Sequence, residues 1–320
     1  MSSAPPPGIV LDSVSKRYGS RTIIHDLSFT VGKGEIVGFL GPNGAGKTTT
    51  MRVLAGFTAA TTGRVMIAGH DMATENVEAA RHIGYLPERP PLYDTLDVTA
   101  YLRFVARVKG VRRAAMASEL ERVVTACHLE AVTRHEIFKL LKGYRQRLGL
   151  AQALLGAPEV LLLDEPTAGL DPGQIQETRE VIRAFGEDHA VLLSTHILAE
   201  ATLICRRVAI INHGRLLAID SPAGLQRAVA QTNRVTLQVT APAEELRQDL
   251  LSVKGVIGID IHPEPGDPAR LTVDCQVDAI DGVEAAIARA VTVRWDLHRL
   301  ERQQPTLENI FLQYVTERGE

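Results

Sequence analysis

Short, wholly apolar runs along this chain are separated by stretches in which apolar residues recur every three or four positions. Ile36-Val37-Gly38-Phe39-Leu40 reads as a buried strand, and the helical spacing from Thr48 to Ala55 predicts a helix just beyond it. Glu159 to Leu163 forms a continuous apolar strand that ends abruptly in Asp164, Glu165 and Pro166. Ala190 to Leu193 is a further strand, leading to Ser194, Thr195 and His196. Strands of this kind are buried on both faces, as in a parallel sheet covered by helices. From Arg89 to about Pro158 helical patterns dominate, for example Val98 to Val105.

After Ser221-Pro222-Ala223-Gly224 the pattern changes. Val235 to Val239 alternates like a half-buried strand, Pro242 to Val253 has helical periodicity, and Val256 to Ile261 is strand-like again. Arg270 to Val277 predicts a strand, Gly282 to Ala290 a helix, and Val291 to Leu297 a last strand. The order β-α-β-β-α-β predicts a small ferredoxin-like unit. Pro305 to Leu312 predicts a terminal helix with proline and threonine at its start. The expected organisation is a flexible segment 1–8, an α/β core over 9–224 with a helical subdomain at about 89–158, and an accessory α+β domain over 225–320.

Composition narrows the function classes. A length of 320 residues suits a main body with one smaller unit. A net charge of -3 and 4% aromatic residues give a nucleic acid neither charge attraction nor stacking partners, so no nucleic acid partner is expected. No apolar segment approaches the ~20 residues that span a bilayer, and Met1 to Gly8 lacks the apolar core of a signal peptide. A cytoplasmic location is therefore expected. Cys127, Cys205 and Cys275 are isolated and odd in number, which predicts reduced thiols rather than a metal or disulfide framework.

The chemistry is concentrated at strand ends. Gly41-Pro42-Asn43-Gly44-Ala45-Gly46-Lys47-Thr48-Thr49 fits the phosphate-binding pattern G-x-x-x-x-G-K-[ST], and it stands between a predicted strand and a predicted helix, the context that pattern requires. Its glycines allow successive N–H groups to turn inward toward phosphate oxygens, with the positive end of the helix dipole behind them. Lys47 then reaches the β and γ phosphates, and the Thr48 hydroxyl is placed for Mg²⁺. A nucleoside triphosphate is the predicted ligand. Ligands of open parallel sheets bind beyond the carboxyl ends of the strands, so Asp164 and Glu165 are expected beside the loop. Asp164 suits the Mg²⁺ shell, and Glu165 suits the orientation or deprotonation of an attacking water. An isolated acidic pair at a strand end is usually only solvated; behind a phosphate loop the catalytic reading is preferred. His196, at the end of its own strand, is expected on the same rim, within reach of the γ phosphate.

With these pieces placed, the first two-thirds of the chain resembles the ATP-binding subunit of an ABC transporter, with a P-loop NTPase core accompanied by antiparallel β and helical subdomains. Tyr18 matches the aromatic that stacks on adenine. Ile83-Gly84-Tyr85-Leu86-Pro87-Glu88 occupies the Q-loop position, with Glu88 in place of the usual glutamine and still able to touch Mg²⁺. Ala168-Gly169-Leu170-Asp171 resembles the D-loop, and His196 matches the switch histidine. Leu140-Leu141-Lys142-Gly143-Tyr144 sits where the signature motif belongs; Leu141 replaces its serine, so the hydroxyl expected on the γ phosphate is missing. The resemblance implies MgATP as cofactor, bound between the phosphate loop of one subunit and Leu141, Lys142, Gly143, Tyr144 and Asp171 of a second copy or a related subunit. It also implies an integral membrane permease as partner, gripped by the helical subdomain, which would hold the chain peripherally on the cytoplasmic face of the membrane. Tyr85 to Glu88 resembles the exporter-type branch. The missing serine leaves a second reading open, a nucleotide-gated binding or regulatory module with weak turnover. A soluble ABC protein of DNA repair or translation is a poorer match, because the chain lacks paired ATPase units and zinc motifs.

Overall fold

The computed structural model describes residues 6–229, 233–264, 267–278 and 282–303. Its contacts divide it into two compact units, one running to Pro222 and the other from Ala223 onward. The expected terminal helix at 305–312 lies outside the described residues, as do residues 1–5 of the N-terminal segment. Gly8 is already held, its carbonyl accepting from the Ala68 N–H at 2.8 Å.

In the first unit the strands are β1 (Ile9–Tyr18), β2 (Arg21–Val31), β3 (Glu35–Leu40), β4 (Thr62–Ile67), β5 (His70–Asp71), β6 (Ile83–Leu86), β7 (Val160–Asp164), β8 (Ala190–Thr195), β9 (Arg207–Asn212) and β10 (Arg215–Asp220). The helices are α1 (Lys47–Leu54), α2 (Asn76–Arg81), α3 (Val98–Val108), α4 (Met116–Ala126), α5 (Lys142–Leu154), α6 (Pro172–Gly186) and α7 (Leu198–Ile204). One sheet is antiparallel, in the order β2-β1-β4-β5. The other has the order β10-β9-β3-β8-β7-β6, parallel throughout except for β10. The apolar runs seen in the sequence are its central strands, and Val37, Phe39, Leu162 and Leu192 are fully buried. They share one cluster with Ile24 and Leu27 of β2 and with Met51 and Leu54 of α1, and the rings of Phe29 and Phe39 lie 5.7 Å apart. Truncating one such side chain to alanine costs about 2–5 kcal/mol, because the cavity adds to the lost transfer energy.

The register of the parallel sheet prepares the site. Leu40 of β3 pairs with Thr195 of β8, and Asp164 of β7 pairs with Ser194 of β8. Three strands therefore stop at one level, and the groups just past them share a rim.

The second unit contains β11 (Asn233–Thr240), α9 (Ala243–Leu251), β12 (Val256–Glu264), β13 (Asp267–Val277), α10 (Val283–Thr292) and β14 (Asp296–Gln303), preceded by α8 (Pro222–Val229), which spans the division. Its sheet order β12-β13-β11-β14 is antiparallel throughout, the arrangement of a ferredoxin-like split β-α-β unit. The strand expected at Val291 to Leu297 is corrected. α10 continues to Thr292, because Val283, Ile287 and Val291 fall four apart on one buried face, and β14 begins only at Asp296.

Candidate functional site

β3 delivers the chain into the glycine loop, and α1 begins at Lys47 with Gly46 as its N-cap. Gly46 has φ 106°, which favours glycine, and a Cβ at Gly41 would stand 2.5 Å from the Ile211 carbonyl oxygen. The loop therefore needs these glycines both for its turn and for its packing on β9. Lys47 is buried and folded back, its Nζ donating to the carbonyls of Gly41 at 2.7 Å and Pro42 at 3.3 Å. The ammonium also lies 3.5 Å from Glu165 Oε1.

Asp164 and Glu165 arrive on β7 and are organised by Ser194 from the neighbouring strand. The Ser194 hydroxyl donates to Asp164 Oδ1 at 2.5 Å and accepts from the Glu165 N–H at 3.1 Å. Glu165 has φ 49°, a left-handed backbone for a residue with a side chain, and the turn directs its carboxylate along the rim. Its Oε2 lies 2.8 Å from His196 Nδ1. The histidine loop is braced from below, since Glu200 is buried and accepts from the hydroxyls of Thr167 at 2.6 Å and Thr195 at 3.4 Å. Burial pushes the Asp164 carboxyl above its ordinary value and the Glu88 charge adds to this, against the hydrogen bond from Ser194, the nearby Thr48 hydroxyl and the charge of Lys47. Asp164 Oδ2 is buried with no hydrogen-bond partner, although the Thr48 hydroxyl is near enough to favour its charge.

These groups surround an open cleft of about 430 Å³, lined by Asn43, Gly44, Gly46, Lys47, Thr48, Thr49, Glu88, Glu165 and His196, together with Arg21, Ile23 and Ala168. Of the residues singled out in the sequence, the phosphate loop, Glu88, Glu165 and His196 are brought together. Arg21 and Ile23 were missed. They stand at the start of β2 with no local motif, and only the sheet topology carries them to the loop.

Tyr18 does not line the cleft. It is 48% exposed at the end of β1, paired across the hairpin with Arg21, with the Lys16 ammonium 4.8 Å from its ring centre. Leu141 to Tyr144 and Asp171 also lie outside the lining. They form a second group. Leu141, 73% exposed, is the N-cap of α5, and Asp171 is the N-cap of α6, accepting from the Gln174 N–H at 2.9 Å. Lys142 lies over Gly169, and a Cβ on Gly143 would stand 2.5 Å from the Gln174 side chain. The Tyr144 ring carries Arg147 at 5.5 Å. The three cysteines are free and buried, and burial pushes each thiol up to about 12. Among the described residues no helix is long and apolar enough to cross a membrane.

Comparison with known proteins agrees with this geometry. Residues 24–168 match the family model described as ABC transporter. The uncharacterized ABC transporter ATP-binding protein YhcH of Bacillus subtilis is 40% identical over 261 residues, covering 79% of this chain and 84% of that protein. The probable multidrug ABC transporter ATP-binding protein YbhF of Escherichia coli is 35% identical over 67% of this chain, which spans only 37% of that longer protein. A solved structure described as the ATP binding subunit of an ABC transporter superposes with a TM-score of 0.64 at 30% identity, covering 69% of this chain and 92% of the other.

Proposed function

Because the chain belongs to the ABC transporter family, as one of its ATP-binding proteins, we propose that two such subunits close on ATP to drive a separate integral membrane permease, in the direction of export. Proteins of this family are ATPases that power transport, and this chain is one of them. The observation that carries the mechanistic reading is the line of contacts from Lys47 through Glu165 to His196 on one rim. Export is supported by the multidrug description of YbhF and by the resemblance of Tyr85 to Glu88 to the exporter-type branch.

The loop N–H groups and Lys47 bind the β and γ phosphates, compensating charge that grows as the terminal phosphoryl group leaves. Lys47 needs only to exchange the carbonyls of Gly41 and Pro42 for phosphate oxygens. Glu165 holds the attacking water and accepts its proton, while His196 fixes the carboxylate from the far side and turns its other ring nitrogen to the γ phosphate. The Thr48 hydroxyl, the unpartnered Asp164 Oδ2 and Glu88 form an all-oxygen donor set suited to Mg²⁺. When bound, Mg²⁺ neutralises phosphate charge. Tyr18 stacks on the adenine.

Leu141 to Tyr144 and Asp171 belong to the opposite face of a dimer, where each copy completes the other's cleft. The exposure of Leu141 supports this assignment. Family membership favours turnover over a purely nucleotide-gated module. The direct test is co-expression with a cognate permease. The chain is expected to sediment with membranes only when that permease is present, and purified complex to hydrolyse ATP. Sedimentation that is the same with and without the permease overturns the partnership.

A further inference from the structure

We propose that His70, Glu78 and His82 form a site for a divalent transition-metal ion of zinc chemistry, outside the nucleotide cleft. Among the described residues, one donor atom from each of these three lies within 4.8 Å of the other two. They come from three places: His70 from β5, Glu78 from α2, and His82 from the C-cap of that helix. The rings of His70 and His82 are stacked at 5.2 Å with only 15° between their planes. Two imidazoles and a carboxylate around an open coordination position form a donor set that suits zinc.

The surrounding carboxylates do what outer partners of metal-bound histidines do. His82 Nδ1 lies 2.9 Å from Glu159 Oε1, and His70 Nδ1 lies 3.3 Å from Glu75 Oε1. A proton on each Nδ1, donated to its carboxylate, leaves Nε2 of both rings with a free lone pair. The backbone at Glu159 is held beside His82, because the next residue, Val160, donates its N–H to the His82 carbonyl at 3.0 Å. Glu78 divides its two oxygens. Oε2 accepts from Arg81 at 2.7 Å, and Oε1 faces His82 Nε2 at 3.9 Å, too far for a hydrogen bond. Ligands about 2.0–2.2 Å from a tetrahedral ion stand about 3.3–3.6 Å apart, so side-chain movements of about 1–1.5 Å close the set. All three residues are half-buried at the surface, which leaves an entry path and a position for water.

Zinc bound here would tie β5 to α2 and to the approach to β7. The test is equilibrium dialysis of the full chain against zinc, read by metal analysis and by competition with a chromogenic zinc indicator. An Asp164→Asn background removes the cleft carboxylate as a competing ligand. One zinc per chain is expected at micromolar free metal, with X-ray absorption showing nitrogen and oxygen but no sulfur neighbours. Glu159→Gln should weaken binding about 10- to 100-fold, as loss of an outer partner does. The combined change His70→Ala with His82→Ala should abolish it. If that variant does not fold, Glu78→Gln, which keeps size and the Arg81 contact, must lower the affinity at least tenfold. Absence of binding at micromolar zinc overturns the proposal, as does an isotherm that these substitutions leave unchanged.

Discussion

Lys47 and Glu165 form a buried ion pair, 3.5 Å from Nζ to Oε1, with side-chain exposures of 7% and 11%. The residue proposed to hold phosphate and the residue proposed to activate water thus neutralise each other inside one cleft. Breaking such a pair from one side leaves an uncompensated charge with little solvent around it. Lys47→Ala should reduce affinity for MgATP by about 10- to 100-fold, the equivalent of a charge-assisted hydrogen bond of about 1.5–3 kcal/mol. A fluorescent-nucleotide titration checks this, and equal isotherms for both proteins refute the assignment.

Glu165→Gln separates binding from chemistry. The amide preserves size and can still contact His196, but it accepts no proton. Hydrolysis should fall on the order of 10²- to 10⁴-fold while ATP still binds, and a nucleotide-bound dimer should accumulate on gel filtration. His196→Ala should impair turnover as well, since it removes the 2.8 Å contact that fixes Glu165. Wild-type rates in Glu165→Gln would exclude Glu165 as the base.

Leu141 presents an apolar side chain where the family resemblance leads one to expect a serine hydroxyl. Restoring it with Leu141→Ser adds a donor for the γ phosphate, and the rate should rise on the order of 10- to 100-fold if that bond strengthens in the transition state. The affinity of the isolated subunit for ATP should not change, because Leu141 lies outside its own cleft. Steady-state hydrolysis at matched concentrations decides the matter; an unchanged rate means that the contact is dispensable here.

Acid stability should depend on Glu35. Burial pushes its carboxyl up, but Arg207, bonded at 2.6 and 2.9 Å, and the Gly32 N–H at 2.8 Å outweigh burial and hold it below its ordinary 4.5. The folded carboxyl therefore binds its proton at lower pH than the unfolded one. Its stabilisation is complete above the ordinary value and disappears as pH falls through the folded one. Thermal melts should show Glu35→Gln less stable by about 1.5–3 kcal/mol at pH 7, with the gap closing over the range below its ordinary 4.5. A gap that stays constant across this range would contradict the linkage.

Much of this is legible in the sequence, for reasons visible in particular residues. Val160 to Leu163 can only be a strand buried on both faces, and the phosphate loop carries its own punctuation in Gly41, Gly44 and Gly46. Val291 to Leu297 misled because Val291, Val293 and Trp295 alternate as a strand would. The four-residue spacing of Val283, Ile287 and Val291 proved stronger, and Val293 is left 80% exposed just past the helix. Arg21 and Ile23 carried no signal, since only the pairing of β1 with β2 brings them to the cleft. Nor did the sequence reveal the left-handed turn at Glu165 or the double role of Ser194, both of which depend on which strand lies next to which.

The level ends of β3, β7 and β8 have a consequence for how this chain tolerates changes of length. Residues added or lost in the surface connections between these strands leave the pairing of Leu40 with Thr195 and of Asp164 with Ser194 untouched. Loss of a single residue inside β8 is another matter. It reverses which side of the sheet each later side chain occupies, and the Ser194 hydroxyl then turns away from Asp164 while His196 leaves Glu165. The spacing of the site is thus written in strand pairs rather than in chain length, and deletions of equal size should be silent in one place and ruinous a few residues away.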